Sequence, residues 1–121
     1  MTRKRYIVEI GTGADLHGGD VTKAAQKAIK DAISRSCLCG LFDIVGIKKP
    51  EQMYIEVKVG CPYPERLNGD EVLKAVPFGT ARLEAVPGGM SVRGLDLPQL
   101  GEGDTIVIAV AALTVYVDIA E

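Results

Sequence analysis

Ten consecutive residues, 11–20, hold the side chains of this sequence that are best suited to chemistry. They include the single histidine, His17, which lies between the aspartates Asp15 and Asp20. One imidazole and two carboxylates can bind a divalent metal and leave coordination positions open for a substrate. Without a metal, a carboxylate beside the imidazole fixes its tautomer for proton transfer. The stretch therefore predicts either a metal site or an acid–base site.

Glycines in the same stretch favour contact between the backbone and a ligand. Gly11, Gly13, Gly18 and Gly19 leave room for backbone N–H groups to approach an anion at the start of the following helix. The spacing matches neither the dinucleotide-binding pattern nor the P-loop. A simpler interpretation stays open, in which Asp20 only caps the helix and the histidine bonds a loop carbonyl.

Three residues outside this glycine-rich loop (residues 11–20) are further candidates for a site. Lys58 lies on the polar face of a predicted strand, where partial burial would let it act as a base or orient a nucleophile. Ser91 and Arg93 lie on a predicted hairpin, and an arginine there can hold a substrate carboxylate. The alternatives are a solvent-exposed pair of Lys58 with Glu56 and a surface salt bridge at Arg93.

Hydrophobic periodicity predicts the elements that would position these residues. Residues 21–33 form a helix whose apolar stripe is mostly alanine, so the helix must lie close to a sheet. Strands are predicted at 6–10, 53–59, 80–86 and 90–93, the last two as a hairpin, with a short helix at 71–76. The apolar run 105–118 predicts a long strand that is buried on both faces.

This order of elements predicts one α/β (α+β) domain over residues 1–121. The domain is a sandwich in which a mixed β-sheet carries helices on one face. The other face of the sheet needs a cover, so we expect a homo-oligomer, with a trimer favoured and sites between subunits.

Composition narrows the classes of partner. Apolar residues make up 47% and charged residues 25%, which is typical of a soluble globular domain. A net charge of −2 without a basic block argues against nucleic acid, and the longest apolar run is too short to cross a membrane. Cys37, Cys39 and Cys61 lack zinc-site spacing and no signal peptide precedes them, which favours a cytoplasmic protein with free thiols.

The loop also resembles the hallmark of a small family of conserved hypothetical proteins. That hallmark is G-x-G-x-D-x-H-G near the N-terminus, and all five fixed positions are present here. They are Gly11, Gly13, Asp15, His17 and Gly18. The family's length and layout are similar to this chain almost end to end. The resemblance implies no established activity.

A second resemblance is to one repeat of the ring-opening amidohydrolases that act on cyanuric acid and barbiturates. Residues 57–62, Val-Lys-Val-Gly-Cys-Pro, are similar to their lysine-bearing Val-Lys-Cys-Pro strand, with two residues inserted. Residues 90–94, Met-Ser-Val-Arg-Gly, are similar to a Met-Ser-Gly-Gly segment that supplies their nucleophilic serine, with the glycine pair replaced. The resemblance implies a three-fold site, with Lys58 as base or orienting group and Ser91 as nucleophile.

Together these observations favour a small-molecule-binding protein. The activity we expect is hydrolysis, or a related step, on a small cyclic amide or polar metabolite at the glycine-rich loop, with His17 and Asp15 central. A divalent metal bound by Asp15, His17 and Asp20 is the one cofactor that the sequence leaves open, and none is certain. The alternatives are a non-catalytic module that binds an anionic metabolite and a structural oligomer without a small-molecule site.

Overall fold

The computed structural model describes residues 1–100 and 103–120, in which five strands form one mixed sheet. The strands are β1 (Thr2–Asp15), β2 (Met53–Cys61), β3 (Thr80–Pro87), β4 (Met90–Arg93) and β5 (Thr105–Ile119). The helices are α1 (Val21–Ile33) and α2 (Gly69–Leu73), with shorter helical turns at Leu41–Val45, Pro50–Gln52, Pro64–Arg66 and Pro98–Leu100. The predicted mixed α+β domain with helices packed on its sheet is confirmed.

The sheet is built around β5, which pairs with three other strands. On one side it is antiparallel to β1 along nearly its whole length, from Thr2 opposite Ile119 to Asp15 opposite Val107. On the other side it pairs first with β4, at residues 105–108, and then with β2, at residues 110–117, both antiparallel. β3 lies outside β2 and parallel to it. The long strand predicted for residues 105–118 is therefore confirmed.

The hairpin predicted for β3 and β4 is wrong. β3 runs beside β2, and the chain then crosses the end of β2 so that β4 lies next to β5. Glycines make this crossing possible, because a Cβ on Gly89 would overlap the carbonyl oxygen of Ile108 and the φ angle of Gly89 is +65°. A Cβ on Gly88 would lie 3.2 Å from the Cα of Gly60. The Pro-Gly-Gly segment does mark a change in chain direction, but it leads the chain across the end of β2 and does not form a hairpin.

The first strand continues through the glycines at which the sequence predicts its end. A Cβ on Gly11 or on Gly13 would overlap backbone atoms of Ala28, so the backbone of α1 lies directly against β1. The helix presents its alanine stripe at this contact, and that stripe is buried. The close approach of the helix to the sheet, predicted from the alanines, is confirmed. The inner face of the sheet, defined here as the face that α1 covers, contains the core.

The outer face of the sheet is open in the single chain. The sequence predicts burial on both faces of β5, yet along the strand only every second residue from Val107 to Val117 is buried. Its other face carries half-exposed apolar side chains that continue onto β1 and β4. We call these residues the outer apolar patch: Val8, Ile10, Met90, Val92 and Val110, which are 48, 57, 57, 41 and 39% exposed. The homo-oligomer expected from the sequence stays a prediction, and this patch is where we expect it to form.

Gly11→Ala should destabilise the protein through the contact between α1 and β1. The added methyl group has no space unless the helix shifts, so we expect a loss of about 1–3 kcal/mol in the free energy of unfolding. Urea unfolding followed by circular dichroism measures it. Gly60→Ala is the matched control, because a Cβ there has its nearest neighbour at 3.6 Å. Equal losses in the two variants would contradict this explanation.

Val110→Asp should dissociate the expected homo-oligomer to single chains. The charge would lie at the centre of a desolvated interface, which is costly without a partner. Light scattering after gel filtration measures the mass, and circular dichroism confirms folding. Thr80→Asp, exposed on β3, is the control and should leave the mass unchanged. A wild-type protein that is already a single chain would contradict the expectation.

Candidate functional site

The two aspartates of the glycine-rich loop organise its backbone. The Oδ2 atom of Asp15 accepts hydrogen bonds from the N–H groups of Gly18 and Asp20, at 3.2 and 2.9 Å. The Oδ1 atom of Asp20 accepts from the N–H of Lys23 at 3.1 Å, which makes Asp20 the N-cap of α1. The predicted cap is confirmed. One oxygen of each carboxylate is thus already used to hold the loop.

The glycines predicted to bind a ligand divide into two pairs. Gly11 and Gly13 face the backbone of α1, so the helix occupies the space that an anion would need. Gly18 forms an isolated parallel bridge with Thr105, and Gly19 has a φ angle of +62° at the entry to the helix. All four therefore have a structural explanation, and the second pair alone lies in the turn between β1 and α1.

His17 carries the unusual polar atom of this loop. Its Nδ1 is the one buried side-chain nitrogen or oxygen, among residues 1–100 and 103–120, that has no hydrogen-bond partner. A buried polar atom without a partner costs free energy, so it marks a place where a hydrogen-bonding group would be stabilised. Within the same described residues, no three His, Cys, Asp or Glu side chains are arranged to hold a metal. Asp15, His17 and Asp20 are therefore not brought together as the expected ligand set.

The predicted partners of the loop lie at different distances from it. Ser91 and Arg93 lie opposite Val107 and Thr105 on β5. This position is two strand spacings, or about 10 Å, from the end of β1. The Nε atom of Arg93 forms a salt bridge with the Oδ2 atom of Asp104 at 3.1 Å. The side chain of Lys58 is 62% exposed on the outer face and pairs with Glu84 at 3.4 Å. Both cations therefore follow the surface interpretation, although Lys58 pairs with Glu84 and not with the expected Glu56.

Lys58 lies far from His17 within one chain. It is opposite Ala112, whereas Gly18, the neighbour of His17, is bridged to Thr105, seven residues away along β5. That separation is roughly 23 Å at the rise of an extended strand. The structure therefore does not bring Lys58 and His17 together in one chain.

A cavity of about 290 Å³ that the sequence did not indicate lies on the inner face, beyond the C-terminal end of α1. Buried side chains of β2 and β5 form its base, among them Met53, Ile55 and Leu113. The segments 36–38 and 76–78, which follow the two helices, form its rim, where Phe78 is 47% exposed. Apart from Glu9, every residue of the lining is uncharged.

Glu9 is a buried acidic residue in this cavity. Its exposed fraction is 8%, and the hydroxyl of Ser36 donates a hydrogen bond to its Oε2 atom. In β1 the usual alternation is inverted, because Val8 and Ile10 are exposed and the glutamate between them is buried. The local sequence does not reveal this inversion, since it depends on which face of the strand α1 covers.

The three cysteines are free thiols, as the sequence predicts. Cys37 and Cys39 are exposed, and Cys37 lies at the rim of the cavity. Burial, with a contribution from Glu65, raises the pKa of the Cys61 thiol, which keeps it protonated and unreactive.

The fold and the cavity define a single-domain α+β protein with a candidate ligand site between its sheet and the ends of its helices. A family model described as "Conserved hypothetical protein (Lin0512_fam)" matches residues 5–115. The chain therefore belongs to this family of conserved hypothetical proteins, which confirms that expectation. No curated protein matches the chain.

A solved structure is similar over the whole fold. It is a crystal structure of an FtsZ-like protein of unknown function from Nostoc punctiforme PCC 73102. The two sequences are 43% identical, the match covers 98% of each chain, and the TM-score is 0.89. None of the helices in the described residues has the length and apolarity that crossing a membrane requires.

Asp15→Ala should destabilise the protein by loosening the turn into α1. The N–H groups of Gly18 and Asp20 both lose their acceptor, so we expect a loss of about 1–3 kcal/mol in the free energy of unfolding. Asp43→Ala, at an exposed position, is the control and should change it by less than about 0.5 kcal/mol. Thermal and urea unfolding at neutral pH measure both. Equal stability of the two variants would show that the carboxylate does not organise the loop.

Proposed function

We propose that this protein binds a small, largely apolar molecule in the cavity beyond the C-terminal end of α1. The observation that carries the proposal is the cavity itself, about 290 Å³ in volume and lined almost entirely by uncharged side chains. Protein interiors are close-packed, and voids larger than a water molecule are few. This volume equals roughly ten water molecules and is close to the lower end of ligand-binding pockets.

The lining supports binding through the hydrophobic effect. Phe78 is 47% exposed and Ile33, Leu38 and Val76 are partly buried, so these lining residues offer apolar surface that a ligand would remove from contact with water. Each apolar group of the ligand gains about 25 cal/mol per Å² of buried area. The rim is formed by chain segments that follow helices, so it can adjust to admit a ligand more easily than the strands below it.

Hydrolysis at the glycine-rich loop has less support from the geometry. Asp15 holds the loop backbone, Lys58 pairs with Glu84 on the other face of the sheet, and Ser91 is exposed on β4. The relative from Nostoc punctiforme is described as FtsZ-like and of unknown function, so it supplies no substrate. The amidohydrolase resemblance stays a prediction that would need a second chain to bring Lys58 near His17.

A second candidate is a non-catalytic ligand site at the loop, in place of the cavity. The unpartnered Nδ1 atom of His17 favours it, since a hydrogen-bonding group of a ligand would satisfy this atom. An anionic metabolite at the start of α1 is the kind of ligand we expect there.

One binding experiment tests whether a neutral apolar ligand occupies the cavity or the loop. Ligand-observed NMR with indole and 2-phenylethanol should show binding to the wild-type protein, and Val76→Phe should abolish it, because the larger side chain fills the cavity. Val45→Phe is the matched control, since Val45 packs against the core away from the cavity and this variant should retain binding.

The same titrations on His17→Ala complete the test. Binding that survives in His17→Ala and disappears in Val76→Phe supports the cavity. Binding that disappears in His17→Ala and survives in Val76→Phe assigns the ligand to the glycine-rich loop and overturns the proposal. Absence of binding to the wild-type protein overturns it as well.

A further inference from the structure

Glu9 gives the cavity a specific chemical requirement. It extends from β1 onto the inner face, opposite Leu113, and only 8% of it is exposed. It is the one charged side chain among the residues that line the cavity. An ionised carboxylate removed from water in apolar surroundings is costly unless a cation or several donors compensate it.

The hydrogen bonds of Glu9 leave one oxygen available to a ligand. The hydroxyl of Ser36 donates to Oε2. Within the described residues Oε1 accepts no hydrogen bond, and it is not one of the fully buried side-chain atoms that lack a partner. A carboxylate has about four acceptor positions, so one hydroxyl satisfies a small part of its capacity. Because Glu9 lines the cavity, this remaining capacity is available to a ligand there.

The cation next to Ser36 does not supply the missing partner. Arg35 precedes Ser36 directly, but its guanidinium forms an ion pair with Asp31 and also donates to the carbonyl of Ile10. The hydrogen bonds from Arg35 and from the Thr12 N–H lower the pKa of Asp31, so that carboxylate is ionised at neutral pH and retains the arginine. Among the described residues, Glu9 has no ion-pair partner.

We infer that the ligand of this cavity is a small primary amine with an apolar body of roughly ten non-hydrogen atoms. This inference rests on the proposed function, because it names the chemical class of ligand for the same cavity. A protonated amine carries three donors on a compact charge, which fits the open Oε1 atom of Glu9. Charge-assisted hydrogen bonds of this kind are about twice as strong as neutral ones. The apolar body of the ligand packs against Met53 and Leu113.

Other classes of small molecule satisfy the site less well. A carboxylate or phosphate would place a second negative charge next to Glu9, which is unfavourable in an apolar environment. A neutral alcohol of the same shape fills the same volume and donates one hydrogen bond, but it leaves the charge of Glu9 uncompensated. The comparison of an amine with its matching alcohol therefore isolates the contribution of Glu9.

The test is a calorimetric titration with 2-phenylethylamine and with 2-phenylethanol, which differ only in the amine and hydroxyl groups. For the wild-type protein we expect the amine to bind about tenfold or more tightly than the alcohol, from the strength of a hydrogen bond to a charged group. Glu9→Gln keeps the shape and removes the charge, so it should reduce amine binding by about the same factor and change alcohol binding by less than about twofold. Glu51→Gln, at an exposed glutamate, is the matched control and should change neither.

The outcomes separate this inference from the proposal on which it rests. Equal binding of amine and alcohol to the wild-type protein, or an unchanged amine affinity in Glu9→Gln, overturns the amine and leaves cavity binding intact. Absence of binding by both compounds overturns the inference and the proposed function together. If Glu9→Gln does not fold, the ratio of the two affinities in the wild-type protein still decides, and a ratio near one overturns the inference.

Discussion

The direct contact between the backbone of α1 and β1 is the constraint on which the rest of this structure depends. It requires residues without a Cβ at Gly11 and Gly13 and methyl side chains on the facing helix. The small residues of α1 and β1 bury less apolar area here than larger side chains would. They allow two rigid backbones to pack at a fixed separation. The helix and the strand therefore act as one unit.

The cavity is a consequence of where this unit ends. α1 stops at Ile33, while the sheet continues toward Thr2 and Ile119. The segments that follow the two helices line the space left over the remaining strands on the inner face. Glu9 belongs to the next inner-face residue pair after Gly11 and lies opposite Leu113.

The elements of this fold were predictable where the pattern is local. The alanine stripe of α1, its cap at Asp20 and the alternation of β2 all follow from residues that are neighbours in sequence. The glycines of the loop were misleading because Gly11 and Gly13 give the same signal whether a ligand or a helix occupies the space above them. The pairing of β4 with β5 and the burial of Glu9 were not predictable, because both are decided by residues distant in sequence.

The pairing of β1 with β5 also determines the order in which the molecule can be assembled. The partners at one end of this pair, Thr2 and Ile119, come from opposite ends of the described chain. During synthesis on a ribosome, α1 and β1 emerge early, but the strand that joins β1 to β2 emerges last. Contacts of such long range also slow folding, since loop closure must precede them. Until β5 is released, both edges of β1 are unpaired, which exposes the nascent chain to aggregation through edge pairing.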